Sequence, residues 1–425
     1  MIKSLYNHIR ESLYDTCYIW REETKMLIHD EGVLLFCLLL PLVYPLLYSW
    51  VYNNEVVREV PTAVVDQANS SHSREFIRLC DASPDVAITH RANSIDEARR
   101  LIEQQQVRGF YVIPADFEHS LNRREPAYIS VYTDMSIMLY YKAIFQTATN
   151  VSLEMNKSVQ IAMLGNQTDR EDVIATQPLD YEDVPIFNPT GGYGNFILPG
   201  VLILIIQQTL LLGIGLAAGT QRESNNYSNL VPLSRHYGGP FRIVFGKGLC
   251  YLMVYAVQAA YLTMVVPRLF HFVSLAHPLD LLAVMTPYLL ACIAFGMVVS
   301  CIVRYRENVL LLIVFTSVPL LFLSGAVSWP QSNMPGAWQG ISWLFPSTFG
   351  VRAFIRLNSM GATFSDVVPE FLCLWLQVGV YFLLACLVYR HQIQMSRQNV
   401  HEQLMKMKRK RAVRQRIRAM HPAAH

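Results

Sequence analysis

FILPGVLILIIQQTLLLGIGLAAG (residues 196–219) and, directly after it, TQRESNNYSNLVPLSR (220–235) form the stretch on which the fold turns. The first part is a predominantly apolar run, long enough as a helix to cross a hydrocarbon core of about 30 Å. The second part is short and polar, and it ends where another apolar run begins near Ile243. It carries Arg222 and Arg235, with Arg242 just beyond, and an excess of cations in a short loop marks the cytoplasmic side of a membrane. A helix-like loop held between two membrane helices on that face is suited to receiving mechanical force from a partner.

Outward from this stretch the chain keeps its character. Of its 425 residues 52% are hydrophobic and 16% charged, and the mean hydropathy is +0.25, too apolar for an ordinary soluble protein. The apolar runs predict six spans: Val33–Tyr52, Phe196–Ala218, Ile243–Val266, Leu279–Val303, Val309–Val327 and Val367–Tyr389. Arg304 and Arg306 fall between spans four and five and Arg390 follows span six, so both termini are expected in the cytoplasm. Pro41 and Pro45 should kink span one, a break that membrane helices tolerate where neighbours satisfy the freed carbonyls. Tyr48, Trp50 and Tyr52 read as an aromatic belt at its far end.

Ahead of span one, Ile2, Leu5, Ile9, Leu13, Cys17, Trp20, Thr24 and Leu27 recur in steps of three and four. They predict an amphipathic helix in the cytoplasmic interface, with Glu11 and Glu22 off the apolar face. No small-residue cleavage site follows span one, so that run reads as a retained helix. From Asn53 to Thr190 the composition becomes that of a soluble domain. Strand-like runs at Val60–Asp66, Val86–His90, Gly109–Pro114 and Tyr128–Tyr132 alternate with helical runs at Ser71–Cys80, Ser94–Gln106, Ala115–Arg123 and about Ile137–Leu164. Ser94-Ile-Asp-Glu97 is a capping-box pattern. Asp66 is the residue there most open to a catalytic role, but a strand-end cap holding the next loop is the preferred reading.

The expected fold is therefore an α-helical integral membrane protein with six transmembrane helices and an extracytoplasmic α/β domain inserted between the first two. Its parts are an interfacial helix (1–31), span one (32–52), the inserted domain (53–190), spans two to six (191–390) and a basic cytoplasmic tail (391–425). The polar loop (219–242) and an irregular region between spans five and six (324–350) lie within the fourth part. That irregular region is too rich in proline and glycine for one helix and reads as short helices dipping into the outer leaflet. The tail holds KMKRKRAVRQRIR (406–418), which reads as a segment touching anionic headgroups rather than nucleic acid.

Several of these stretches resemble the ABC-2 type transporter permeases, the membrane subunits of ABC exporters. Arg222-Glu223 and Val231-Pro232-Leu233-Ser234-Arg235 stand where that family carries its coupling helix after the second span. Ala63-Val-Val-Asp66 with Ser73-Arg74, and Ile113-Pro114-Ala-Asp-Phe117, resemble the external domain of its drug-exporter-like members. Ser324-Gly325, Pro330 and Met334-Pro335 resemble its outer re-entrant region, with Trp329 where a phenylalanine is usual. The resemblance implies that Arg222, Glu223 and Pro232 couple the chain to a separate ABC ATPase, which binds the ATP; this chain is expected to bind no cofactor. It also implies a second permease copy or close paralogue, membrane lipid around it, a bacterial inner-membrane location and a hydrophobic or amphiphilic substrate. A periplasmic adaptor protein is a further candidate partner.

Few residues point to chemistry. No Gly-x4-Gly-Lys-Ser/Thr phosphate loop occurs, and Gly246-Lys247-Gly248 lacks the spacing and the hydroxyl. No catalytic residue and no metal site is expected: the eight cysteines show no CxxC spacing, and only Cys80 lies in the polar region. No acidic residue sits mid-span, which disfavours a proton-driven path. Gln207 and Gln208 lie near the centre of span two and are candidates for a substrate path, with an interhelical amide bond as the preferred alternative. Gly215-Leu-Ala-Ala-Gly219 is a small-xxx-small pattern that suits a dimer seam. Two other classes remain open: a non-transporting membrane scaffold or receptor acting through its external domain, and a membrane-embedded enzyme.

Overall fold

The computed structural model describes the chain apart from residues 1, 54–55, 124, 165–167, 169, 172–175, 177–183, 185, 189–191, 226–229, 233, 304, 326–332 and 421–425. Arg304, Trp329, Pro330 and Leu233 therefore lie outside the described residues. The chain divides into two units, Met1–Asn53 with Gly192–His425, and Asn54–Gly191.

The first unit is helical. Six of its helices are long and apolar enough to cross a membrane: Glu31–Val51, Gly194–Ser224, Pro240–Leu269, Pro278–Ile302, Arg306–Leu323 and Phe364–Asn399. Span two is the hub. Its most apolar stretch is 89% buried, against 17% for span five and 22% for span six, and spans one, four and five all pack on it. The exposed faces of the outer spans are apolar, as at Leu47 and Trp50 of span one and Phe315 of span five, which suits contact with lipid.

Close packing explains the glycines of span two. A Cβ on Gly215 would meet Val309 Cγ1 at 2.5 Å, and one on Gly219 would meet the Arg306 Cα at 3.0 Å. The small-xxx-small pattern is thus filled by span five of the same chain, which corrects the dimer-seam expectation. Span one stays helical through both prolines, with a wide π-type turn at Leu35–Leu39. Pro41 has no N–H to offer the carbonyl of Cys37, and Gln258 of span three donates its amide to that oxygen instead. Span two is longer than the apolar run predicts: it remains helical to Ser224, because Thr220, Gln221 and Arg222 find partners on neighbouring helices.

The N-terminal helix, Ile2–His29, packs along span three. Its buried face is Asp15, Ile19, Glu23 and Leu27, whereas Leu13 is 60% exposed and Cys17 is exposed as well. The predicted apolar stripe is therefore packed only in its second half, where Leu27 is buried, Trp20 lies against the core and Thr24 bonds Cys250. Carboxylates occupy the packed side because basic partners meet them there, and Gly246 lets the helix approach, its missing Cβ standing 3.0 Å from the Thr16 carbonyl.

The second unit holds a four-stranded sheet ordered β2-β1-β3-β4, where β1 is Val60–Asp66, β2 Val86–Arg91, β3 Gly109–Ile113 and β4 Ser130–Thr133. β1 runs parallel to β2 and β3, and β4 is antiparallel to β3. Helices Ser71–Asp81 and Ile95–Glu103 make the crossovers that parallel strands require. Val64, Phe76, Tyr111 and Ile144 form the core on one face of the sheet, and Val65, Ala98 and Phe110 that on the other. Each predicted element appears within a few residues of its expected ends. Asp66 is a cap: its Oδ1 accepts from the Ala68 and Asn69 amides and its Oδ2 from the Ser73 hydroxyl. The capping box lies at Ser70–Ser73. At Ser94 only half of one forms, since Glu97 bonds the amide of Asn93 rather than that of Ser94.

The buried Tyr111 hydroxyl donates to the Ile144 carbonyl at 2.9 Å, joining the sheet to the helix Met138–Leu164. The fragment 54–191 is expected to unfold cooperatively in urea. Tyr111→Phe should lower its stability by about 1 kcal/mol with an unchanged slope. An unchanged midpoint would remove that bond from the account.

Candidate coupling surface

The cytoplasm-predicted ends of spans two and three meet the N-terminal helix, spans four and five join them through Arg222 and Asp30, and charged side chains make the joints. Glu23, 2% exposed, lies at the centre. Its Oε2 accepts from Lys247 Nζ of span three at 2.7 Å and from Gln221 Nε2 of span two at 3.0 Å. Its Oε1 accepts from the Tyr251 hydroxyl at 3.1 Å, and Lys247 also donates to Gln221 Oε1 at 3.0 Å. A buried carboxylate and ammonium are tolerable because both are bonded several times over. This network ties three helices to one point.

Two more carboxylates of the same region make similar joints. Asp30 caps the start of span one through the Gly32 and Val33 amides, and it accepts from Thr220 of span two and from Arg306 of span five at 2.7 Å. Burial raises its pKa, but the Thr220 hydroxyl, the Val33 amide and Arg306 together outweigh that and hold it below the ordinary carboxylate range. The contribution of these bonds is therefore present above that range and lost as the pH falls through the lowered value. Asp15 meets His236 Nδ1 at 2.7 Å and Arg242, both in the last part of the polar loop.

The predicted coupling residues separate into different settings. Arg222 is 7% exposed and donates to the Cys301 carbonyl at 2.8 Å and to that of Val303, the otherwise open C-terminal end of span four. Glu223 is half-buried on the last turn of span two, and among the described residues its carboxylate has no hydrogen-bonded or ionic partner. Pro232 is half-buried, its carbonyl accepting from the Ser234 amide at 3.0 Å. Leu230 and Val231 beside it belong to the membrane unit's core. The helix of span six continues to Met420, and its Ser396 hydroxyl donates to the Val231 carbonyl at 3.3 Å.

Gln207 and Gln208 lie apart from this surface. Gln207 is fully buried, and its Oε1 accepts from the Ser347 amide at 2.7 Å, capping the short helix Pro346–Phe354. This is the interhelical bond that the sequence favours. Among the described residues, both amide atoms of Gln208 and the Nε2 of Gln207 are buried with no hydrogen-bond partner. Between spans five and six, Ser324 caps span five and Gly325 follows at φ +72°, the left-handed position that glycine fills without strain. Met334 lies in the turn before Pro335, which begins the short helix Gly336–Ser342. Two short helices thus replace one long one, tied to span six by Gln377 on the Trp343 carbonyl and Tyr381 on that of Leu344.

Glu23 and Lys247 did not stand out in the sequence as a pair. A lysine inside an apolar run is the visible signal, since such a charge demands a partner. The partner lies 224 residues away and cannot be read from spacing.

Among the described residues, six membrane-competent helices, an inserted sheet and a charged joint at the end of span two are the architecture of a multi-span membrane protein. The chain belongs to the family described as ABC-2 family transporter protein, whose model matches residues 32–387. It is similar to the probable multidrug ABC transporter permease YbhR of Escherichia coli strain K12, 25% identical over 334 residues, 77% of this chain and 84% of that protein. It is also similar to the inner membrane transport permease YhhJ of the same strain, 30% identical over 202 residues, 46% of this chain and 52% of that protein.

Removing one partner of the central pair isolates the other in a dry site. Lys247→Met is expected to destabilise the membrane unit by about 3–5 kcal/mol, with Glu23→Gln added to it recovering most of the loss. Thermal unfolding in detergent reads both. Equal melting of the wild type and Lys247→Met would contradict the network's role.

Proposed function

We propose that this chain is the permease subunit of an ABC exporter, moving a hydrophobic or amphiphilic molecule outward with ATP hydrolysed by a separate ATPase subunit. The observation that carries the reading is Glu223: a half-buried carboxylate without a described partner, on the last turn of the most enclosed helix. The turn before it is pinned by Glu23 and Asp30. Force applied at Glu223 therefore reaches spans two, three and five and the N-terminal helix together. Family membership supports an ABC ATPase as the partner. The substrate class draws on the multidrug name of YbhR. The cation distribution supports cytoplasmic termini, an external 53–190 domain and, for a chain like those of Escherichia coli, the inner membrane. Two permease halves, identical or paralogous, complete the transporter.

A desolvated interfacial ion pair loses several kcal/mol when one partner is removed, and charge reversal adds repulsion. Glu223→Arg is accordingly expected to insert and fold normally but to lose transport, with hydrolysis by its ATPase no longer stimulated by substrate in proteoliposomes. Transport and stimulated hydrolysis at parent levels would rule this residue out as the coupling contact.

Topology is tested by thiol labelling. Cys80 is fully buried, and burial pushes its pKa up to about 12, so the native thiol is a poor probe. Arg99 is exposed. An impermeant maleimide should label Arg99→Cys in intact cells and reach Cys17 only after lysis. The reverse pattern would invert the layout.

A further inference from the structure

We infer that the basic helix following span six is a second docking arm, which holds an acidic surface of the same ATPase subunit that meets the loop after span two. It rests on the proposed pairing with a separate ATPase. The sequence alone favours anionic lipid for this segment, and the geometry disfavours it. The helix from Val368 runs without interruption to Met420. No glycine or proline lies between Val380 and His421, so the usual causes of a sharp kink are missing. Arg390 marks the end of the apolar run, and Lys406 follows about 24 Å further along the helix, Arg418 about 42 Å. The reach of a charge at physiological ionic strength is about 8 Å, so a helix continuing the span carries these cations beyond the headgroups' field.

The composition points the same way. Residues 406–418 contain eight lysines and arginines, no acid, and only Met407, Ala412, Val413 and Ile417 as apolar residues. A helix lying in the membrane surface needs a continuous apolar face, and this segment has none. Its binding must be chiefly electrostatic, and a long helix carrying such charge suits an acidic protein face.

The location selects the partner. Ile393 belongs to the membrane unit's core, and Ser396 bonds Val231, next to Pro232 in the loop after span two. The arm thus leaves the membrane unit beside the proposed coupling contact and continues past it. An ATPase that meets this loop at Pro232 meets the root of this helix as well.

The test uses the full chain in phosphatidylcholine nanodiscs and its ABC ATPase subunit. The variant replaces Lys406, Lys408, Arg409, Lys410, Arg411, Arg414, Arg416 and Arg418 by glutamine, a good helix former. It should bind the ATPase about tenfold or more weakly, and the wild type should lose that advantage when salt rises from about 50 to about 300 mM. Circular dichroism should show the helix retained in the variant. Equal, salt-independent affinity of the two chains overturns the arm while leaving the permease reading intact. Failure of the wild type to bind any ABC ATPase overturns both. Equal ATPase affinity, with the variant losing binding to phosphatidylserine vesicles or to RNA instead, replaces the arm with a lipid or nucleic-acid contact.

Discussion

A charge placed where it must be answered organises the membrane unit. Lys247 sits among apolar neighbours in span three and is 4% exposed; unpaired, it would cost more than the packing around it returns. Glu23 answers it, and the remaining lone pairs of that carboxylate are filled by Gln221 and Tyr251. Apolar packing alone would let the N-terminal helix slide along span three. The network fixes its register, because any shift strands two buried charges. Asp15, at the middle of that helix, and Asp30, just past its end, use Arg242 and Arg306 in the same manner.

The consequence is mechanical. Span two is enclosed by its neighbours, and glycines at 215 and 219 bring it against span five without intervening side chains. Its last turn carries Gln221 and Arg222 into the charged joints, while Glu223 has no partner among the described residues. Displacement of that turn is transmitted by polar bonds to the N-terminal helix, to span three and, through Arg222, to the end of span four. Higher in the same helix, Gln207 holds the short helix Pro346–Phe354. One rod therefore touches both the polar loop and the broken helices between spans five and six.

Much of this was legible in the residues. Hydropathy located six spans, because a membrane helix is written as a long apolar run, and alternating strand and helix patterns located the sheet. What failed to show depended on pairs distant in sequence. The N-terminal helix was read by its apolar stripe, although acidic residues pack once their cations arrive from spans three and five and the polar loop. The glycines of span two predicted a close approach but not its partner. Arg222 was expected to face the ATPase with Glu223, yet it closes the carbonyl end of span four. Gln207 was legible as an amide in need of a bond, while its acceptance of the Ser347 amide needed the fold.

The central claim is that the turn at Glu223 is where an ATPase grips the chain. A photoreactive amino acid at position 223, illuminated in intact cells, tests it most directly. The account predicts one dominant adduct, between this chain and a protein carrying an ABC phosphate-binding loop, that is lost when the same group is placed at exposed Arg99. An adduct with any other protein, or none while the chain still transports, would contradict it.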